Sequence, residues 1–239
     1  MNLHERYYME NLYPFQDGVL NIVKRLPIPC YLTGGTALSR GYFQHRYSDD
    51  LDLFVNQQAH YADYVQILFS QLEADQSTTH FSLDYQRLRR YENFTQFFLI
   101  KQDDQHHVEL KIDFVNDVAA HYGNFIQHAH LGLIDSWQNM LSNKLSAIFR
   151  FEAKDIVDIW IIASRYPFSW ISIIKEAKTK EAGIDPIVLC EILTSFPEDA
   201  LETIKWIVPV DGSVLKRNVE QIARDILHGN DNSLAGFYG

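Results

Sequence analysis

Several things are scarce in this chain. Its 239 residues include only two cysteines, Cys30 and Cys190, far apart and in no CxxC pair. A disulfide framework and a cysteine-ligated metal site are thereby excluded, and two free thiols in a reducing compartment are expected. No apolar run approaches the roughly 18 residues that a membrane helix needs, and the opening MNLHERYYMENLY does not read as a signal peptide. A soluble cytoplasmic protein with no membrane partner is the expectation. Basic residues are also in deficit: 21 Lys and Arg face 31 Asp and Glu, for a net charge of −10. Such a balance does not suit a general nucleic-acid binder, although a local basic patch can stand beside an acidic metal site. RLRRYE, Arg87 to Glu92, is the dense basic stretch. It reads equally well as a solvated strand edge and as an RNA contact. Internal repeats, low-complexity segments and flexible linkers are absent.

Apolar residues are plentiful at 46%, with 13% aromatic, so the chain folds around a core large enough for one domain or two small ones. Residues 3 to 26 carry apolar side chains at helical spacing and stop at Pro27-Ile28-Pro29. An extended segment over 30–33, a Gly34-Gly35 turn, a short helix over 36–43, a strand over 50–55 and a helix over 59–72 follow. From Phe81 to about Val115 the pattern is strand-like, with QDDQ (102–105) as a hairpin turn. After about residue 120 the pattern becomes helical: DSWQNMLSNKLSAIFRF with Asp135 or Ser136 as N-cap, EAKDIVDIWIIASRY, a helix opened by Asp185-Pro186, and a last one over 213–227 closed by Gly229. The expected organisation is a mixed α/β half, 1–120, and a helical half, 121–239.

One stretch asks for an explanation. In YLTGGTALSRGYFQHRYSDDLDLFVN, Asp50 and Asp52 stand two apart in a strand and share a face, while Leu51, Leu53 and Val55 take the other. In VELKIDF, Asp113 alternates in the same way against Val108, Leu110, Ile112 and Phe114. If the two strands are neighbours, three carboxylates converge, and their mutual repulsion calls for a compensating cation. An oxygen-only ligand set suits Mg²⁺ or Mn²⁺. The double glycine before a helix lets bare backbone, the helix N-terminus and Thr36 approach a phosphate, yet no Gly-Lys-Ser/Thr follows, so this is not a P-loop. Asp49 has the opposite parity and reads as a turn residue. His106-His107 reads as a hairpin shoulder in preference to a transition-metal site.

Together, LTGGTALSRGYF and HRYSDDLDLF resemble the nucleotidyltransferase signature of the DNA polymerase β-like superfamily, in the form of the AbiEii/AbiGii toxin family. KID, with Lys111 and Asp113, and NMLSNKLSAIFRFEAKDIVDIW, with Lys144 and Asp155 or Asp158, extend the likeness to about residue 165. The resemblance implies an α+β fold: a nucleotidyltransferase-type mixed β-sheet with flanking helices, then a C-terminal helical bundle. It implies transfer of a nucleoside monophosphate from an NTP, with Mg²⁺ or Mn²⁺ on Asp50, Asp52 and Asp113. Asp113 would also help activate the acceptor hydroxyl. Gly34, Gly35 and Thr36 would hold a terminal phosphate, Thr36 supplying the hydroxyl where the family commonly has Gly-Ser. Lys144, Arg46 and Lys111 would offset triphosphate charge, and Asp158 would join the nucleotide site. An RNA acceptor such as tRNA, a protein acceptor and a cognate antitoxin are the implied partners.

Each residue has a plainer alternative. Arg46 can pair with Asp49, Lys111 can be a solvated strand residue, and Lys144 can lie on an exposed helix face. Asp155 and Asp158 can form a structural bridge with Arg150 or Lys154. Two other functions compete as well: nucleotidyl transfer to a small molecule, as in aminoglycoside-modifying relatives, and a silent nucleotide-binding interaction protein that kept the fold.

Overall fold

A computed structural model describes residues 3–102 and 107–236, without the side chains of Leu3 and of residues 77–79. The QDDQ turn beyond Gln102, and His106, lie outside the described residues. The chain forms two compact units. The first comprises the residues up to Tyr42, Tyr47–Ala119 and Phe125–Asp135; the second comprises Phe43–Arg46, Ala120–Asn124 and the chain from Ser136 onward.

In the first unit, α1 (Leu3–Tyr7) runs through a wider π turn at Tyr8–Leu12 into α2 (Tyr13–Val23). Strand β1 (Tyr31–Thr33) leads into α3 (Gly34–Thr36), which widens over Ala37–Phe43, and then β2 (Leu51–Asn56) and α4 (Tyr61–Thr79) follow. Next come β3 (Ser82–Leu83), β4 (Arg89–Arg90), β5 (Phe94–Gln102), β6 (His107–Asp117), β7 (Ile126–His128) and β8 (Gly132–Ile134). They form one mixed sheet in the order β3-β5-β6-β2-β1-β8-β7, with β4 also paired to β5. Strand β2 runs parallel to β6 and antiparallel to β1, and β5 runs antiparallel to β6.

The period-two pattern decides which face is covered. Leu51, Leu53 and Val55 of β2 and Val108, Leu110, Ile112 and Phe114 of β6 are buried, as alternation predicts. Helix α4 covers that face. Its Tyr61 ring lies 5.2 Å from that of Phe114, and its hydroxyl donates to the Phe114 carbonyl at 2.6 Å. The opposite face carries the carboxylates.

The second unit is helical: α5 (Trp137–Ser146), α6 (Ala153–Arg165), α7 (Trp170–Lys180), α8 (Pro186–Ser195) and α9 (Gly212–His228), with short 3₁₀ turns at Ile148–Arg150 and Glu198–Thr203. Capping fixes the ends. Ser136, not Asp135, caps α5 by accepting from the Asn139 N–H at 3.0 Å. Asp185 accepts from Ile187 N–H at 2.9 Å with Pro186 at the first helical position, and Gly229 closes α9 at φ +65°. Helix α6 is apolar almost all round and buried from Asp155 to Ser164, which is how a central helix reads.

Four expectations need correction. The stretch FSLDYQRLRRY is not one strand but two dipeptide strands, β3 and β4. Between them Asp84 accepts from the Gln86 and Arg87 N–H groups, an Asx-type turn that competes with extended backbone. Strands persist past residue 120, as β7 and β8, which are too short for alternation to show. Helix α7 was not anticipated, although Trp170, Ile173, Ile174 and Ala177 stand at helical spacing. Asp50 lies just before β2 rather than within it.

Candidate active site

The carboxylates of the first unit meet through strand register. Asp52 of β2 and Asp113 of β6 are direct partners across adjacent parallel strands, so both side chains leave the same face at one strand spacing. Asp50 reaches the same place from the loop ahead of β2. Lys111, two residues before Asp113, places its Nζ 2.9 Å from Asp50 Oδ2 and 3.1 Å from Asp113 Oδ2. The charge compensation demanded by the sequence is therefore supplied by a lysine. Burial alone would lower the Lys111 pKa, but Asp50 and then Asp113 outweigh it and hold the ammonium above its ordinary range. Gln96 of β5, the registered partner of Asp113, donates from Nε2 to Asp113 Oδ1 at 2.8 Å. Gln96 escaped the sequence reading; its strand parity, set against Asp113, is the signal that could have found it.

Gly34 has a definite reason to be glycine. Its φ is +68°, and a Cβ built there would lie 2.1 Å from Asp52 Oδ2. The glycine thus admits the Asp52 carboxylate against bare backbone. Gly35 is buried beside it. Thr36 is placed differently from expectation: its side chain is fully buried, and its hydroxyl is engaged with the Asp50 carbonyl and with Ser48 Oγ at 2.9 Å. The residue braces the loop that delivers Asp50 instead of presenting a hydroxyl to a phosphate. Asp49 accepts from the Tyr8 hydroxyl, and its carbonyl accepts from Gln16 Nε2 at 3.0 Å, so it anchors the same loop.

Arg46, Lys144 and Asp158 belong to the second unit and to one another. Arg46 donates from Nε and Nη2 to the two oxygens of Asp158, each at 2.8 Å. Lys144 Nζ lies 2.7 Å from Asp158 Oδ2 and 2.7 Å from Asp155 Oδ1, and Arg150 Nη2 lies 2.8 Å from Asp155 Oδ2. His45 Nε2 completes the set at 2.9 Å from Asp158 Oδ1. Asp155 and Asp158 are fully buried, and Arg46 and Lys144 nearly so. Arg46, Lys144 and Asp158, expected at the nucleotide, face one another in a self-neutralising cluster. The alternative of a solvated Lys144 fails, whereas the Asp155–Arg150 bridge is present.

Burial penalises every charge in that cluster, and pairing decides the outcome. For Asp158, desolvation is outweighed by Arg46 and Lys144, which hold the carboxyl well below its usual range. Lys144 is likewise held above its ordinary value by Asp158 and Asp155 against the cost of burial. His45 goes the other way: desolvation lowers its pKa more than Asp158 raises it. A neutral His45 with its proton on Nε2 fits, since the buried Nδ1 has no hydrogen-bond partner among the described residues.

Three oxygen donors on one sheet face, with a cation already held between two of them, form a donor set that fits Mg²⁺ or Mn²⁺. Among the described residues, no three His, Cys, Asp or Glu side chains are yet gathered closely enough to hold a metal ion. Lys111 fills the space between Asp50 and Asp113 instead. Among the described residues no helix is long and apolar enough to cross a membrane.

A mixed sheet with carboxylates at registered positions and a glycine turn packed against one of them is the arrangement of a nucleotidyltransferase fold. The same fold is found in JHP933 from Helicobacter pylori, at a TM-score of 0.63 and 17% identity over 92% of this chain and 91% of that one. A second H. pylori protein, provisionally described as a nucleotidyltransferase, matches at 0.60 and 17%, covering 90% of this chain and 94% of its own. No curated protein matches the chain in sequence. The family profile of the nucleotidyl transferase AbiEii toxin, type IV toxin–antitoxin system, matches residues 23–206. The chain belongs to the AbiEii nucleotidyl transferase toxin family.

Proposed function

We propose that this protein transfers a nucleoside monophosphate from an NTP to an RNA acceptor, as the toxin of a two-component system with a cognate antitoxin. The observation that carries the reading is the register of Asp52 opposite Asp113, with Asp50 drawn to the same face through Lys111. A structural role alone gives no account of three carboxylates on an incompletely covered face. Asp50, Asp52 and Asp113 are the residues that would hold the metal. A divalent ion bound there supplies Lewis-acid stabilisation of the charge that develops on the triphosphate oxygens.

The remaining contributions come from the chain itself. Gly34 lets Asp52 lie against the turn, so an incoming phosphate meets backbone rather than a side chain. Gln96 fixes the orientation of Asp113, whose other oxygen can accept the proton of an acceptor hydroxyl. As the acceptor's hydroxyl oxygen bonds to the α-phosphorus, its proton passes to Asp113, the α-phosphorus bond to the bridging oxygen of the β-phosphate breaks, and pyrophosphate leaves. Lys111 would give up its bridge to the carboxylates as the metal arrives and turn its charge toward the triphosphate.

The test is direct. Wild type and Asp52→Asn would each be incubated with Mg²⁺ or Mn²⁺, one α-³²P-labelled NTP at a time, total bacterial RNA and lysate protein. Label on RNA with the wild type alone supports the reading and names the nucleotide. Label on protein, or on a small molecule, moves the acceptor to that class. No label with any NTP and no NTP-dependent rise in melting temperature would leave the silent interaction protein standing.

A further inference from the structure

Basic and aromatic side chains of the first unit are gathered on the face that carries the carboxylates. The registered partners Arg89↔Gln96, Gln96↔Asp113 and Asp113↔Asp52 place these four residues in one row across β4, β5, β6 and β2. Registered neighbours point to the same side, and strands stand about 4.8 Å apart, so Arg89 lies about 10 Å from Asp113 along that row. Arg89 is exposed, and its Nη1 donates to the carbonyls of Gln86 and Leu88, at 3.1 and 3.2 Å. On either side of Gln96 along β5 stand Phe94 and Phe98, half-exposed on this face. Tyr91 stacks on Phe94 at 6.2 Å and 27°, with 65% of its own surface open. The Arg87 guanidinium lies over Phe98, 4.2 Å from the ring centre.

Arg90 shows the contrast. Its neighbour in β4 points the other way, and it lies over Phe69 of α4 at 4.4 Å. The basic run is therefore split by strand parity: Arg89 goes to the carboxylate face and Arg90 to the covered one. Arg87 is offset by Asp84 and Glu109, at 2.7 and 2.6 Å. Among the described residues, Arg89 is thus the guanidinium on this face that ion pairing leaves available for a phosphate.

We infer that this platform docks the single-stranded 3′ end of the RNA acceptor, a base stacking on Tyr91 and a backbone phosphate meeting Arg89, so that the terminal hydroxyl reaches Asp113. Flat aromatic faces bind bases whatever their sequence, and a guanidinium takes a phosphate in bidentate fashion. Neither feature serves a protein acceptor as well, because an exposed tyrosine two residues from an arginine that is in a row with a carboxylate suits the spacing of a base and its backbone phosphate. The inference rests on the nucleotidyl-transfer reading but can fail separately from it.

The experiment measures binding of a 3′-unblocked, fluorescein-labelled 12-nucleotide RNA by anisotropy. The full chain would be used as wild type, Tyr91→Ala, Arg89→Ala and Arg90→Ala, and NTP binding by each would be followed through its melting shift. Tyr91→Ala and Arg89→Ala should each weaken RNA binding at least about fivefold, the loss of one stacked base or one phosphate contact. Arg90→Ala should change it less than about twofold, and all four proteins should keep the same NTP shift. RNA binding unaffected by Tyr91→Ala and Arg89→Ala, or absent from a wild type that still shows the NTP shift, overturns the docking surface and leaves the transferase reading intact. RNA binding lost in both variants without any NTP shift upholds the surface and sinks the transferase reading. A duplex of the same sequence binding as tightly as the single strand also overturns it, since a duplex has no free base to stack.

Discussion

Two groups of carboxylates, one in each unit, meet cations in opposite ways. In the second unit, every oxygen of Asp155 and Asp158 accepts from a cation, buried or nearly so for Arg46 and Lys144 and exposed for Arg150, and His45 adds a neutral donor. In the first unit, one half-buried lysine bridges Asp50 and Asp113, and Asp52 stands in register beside them. In the first arrangement each carboxylate is held on both oxygens by cations; in the second a single lysine bridges two of the three carboxylates. A saturated, dry cluster is what a fold needs in order to bury charge. A cluster that shares one half-buried lysine on an incompletely covered face is what a metal-using site needs. The sequence presents both as aspartates near lysines, and only the pairing separates them.

The largest effect should come from breaking the saturated cluster. Asp158→Ala would leave Arg46 and Lys144 buried without their main partner, at a cost of about 3–5 kcal/mol. Urea unfolding would register it, and a loss under 1 kcal/mol would mean the cluster relaxes into solvent. Next is Gly34→Ala, which forces an alanine into a left-handed conformation and against Asp52, costing about 1–3 kcal/mol. If the melting temperature holds and Mg²⁺ binding is unchanged, the close approach of Asp52 to the turn is not needed.

Acid should act through His45 before it reaches the carboxylates. The folded His45 binds its proton less readily than the unfolded one, whose ordinary value is 6.5. Protons bound below that pH therefore favour unfolding, and stability should fall as pH drops beneath about 6.5. Asp158, held well below the ordinary 3.8, adds a further loss only below that pH. His45→Gln should flatten the first step; an unaltered profile would remove His45 from the account. The smallest effect belongs to Lys111→Ala, a partly exposed bridge worth about 0–1 kcal/mol. Its sharper consequence is that Mg²⁺ alone should raise the melting temperature more than in wild type, because a competing cation is gone.

How much of this was legible depended on range. Alternation in LDLFV and VELKIDF placed the packed face and the carboxylate face correctly, because period-two patterning is local. Caps at Asp185 and Gly229 were equally local. The pairing of β2 with β6 was not, since 61 positions separate Asp52 from Asp113 and nothing in either strand names its partner. Arg46 and Asp158 are 112 apart, which is why Arg46 read as a partner of nearby Asp49. Thr36 misled for a different reason: a hydroxyl after Gly-Gly looks phosphate-facing until Ser48 and the Asp50 carbonyl are seen to claim it.

The central claim is that Asp52 and Asp113 are kept for a bound metal and nucleotide, and not for the fold. Thermal melting of wild type, Asp52→Asn and Asp113→Asn, with and without Mg²⁺ and NTP at millimolar concentration, tests it most directly. Both variants should melt no lower than wild type in metal-free buffer, through relief of carboxylate repulsion, and only the wild type should be raised by Mg²⁺ with NTP. Variants that melt markedly lower without metal, or that gain the same shift as wild type, would contradict it.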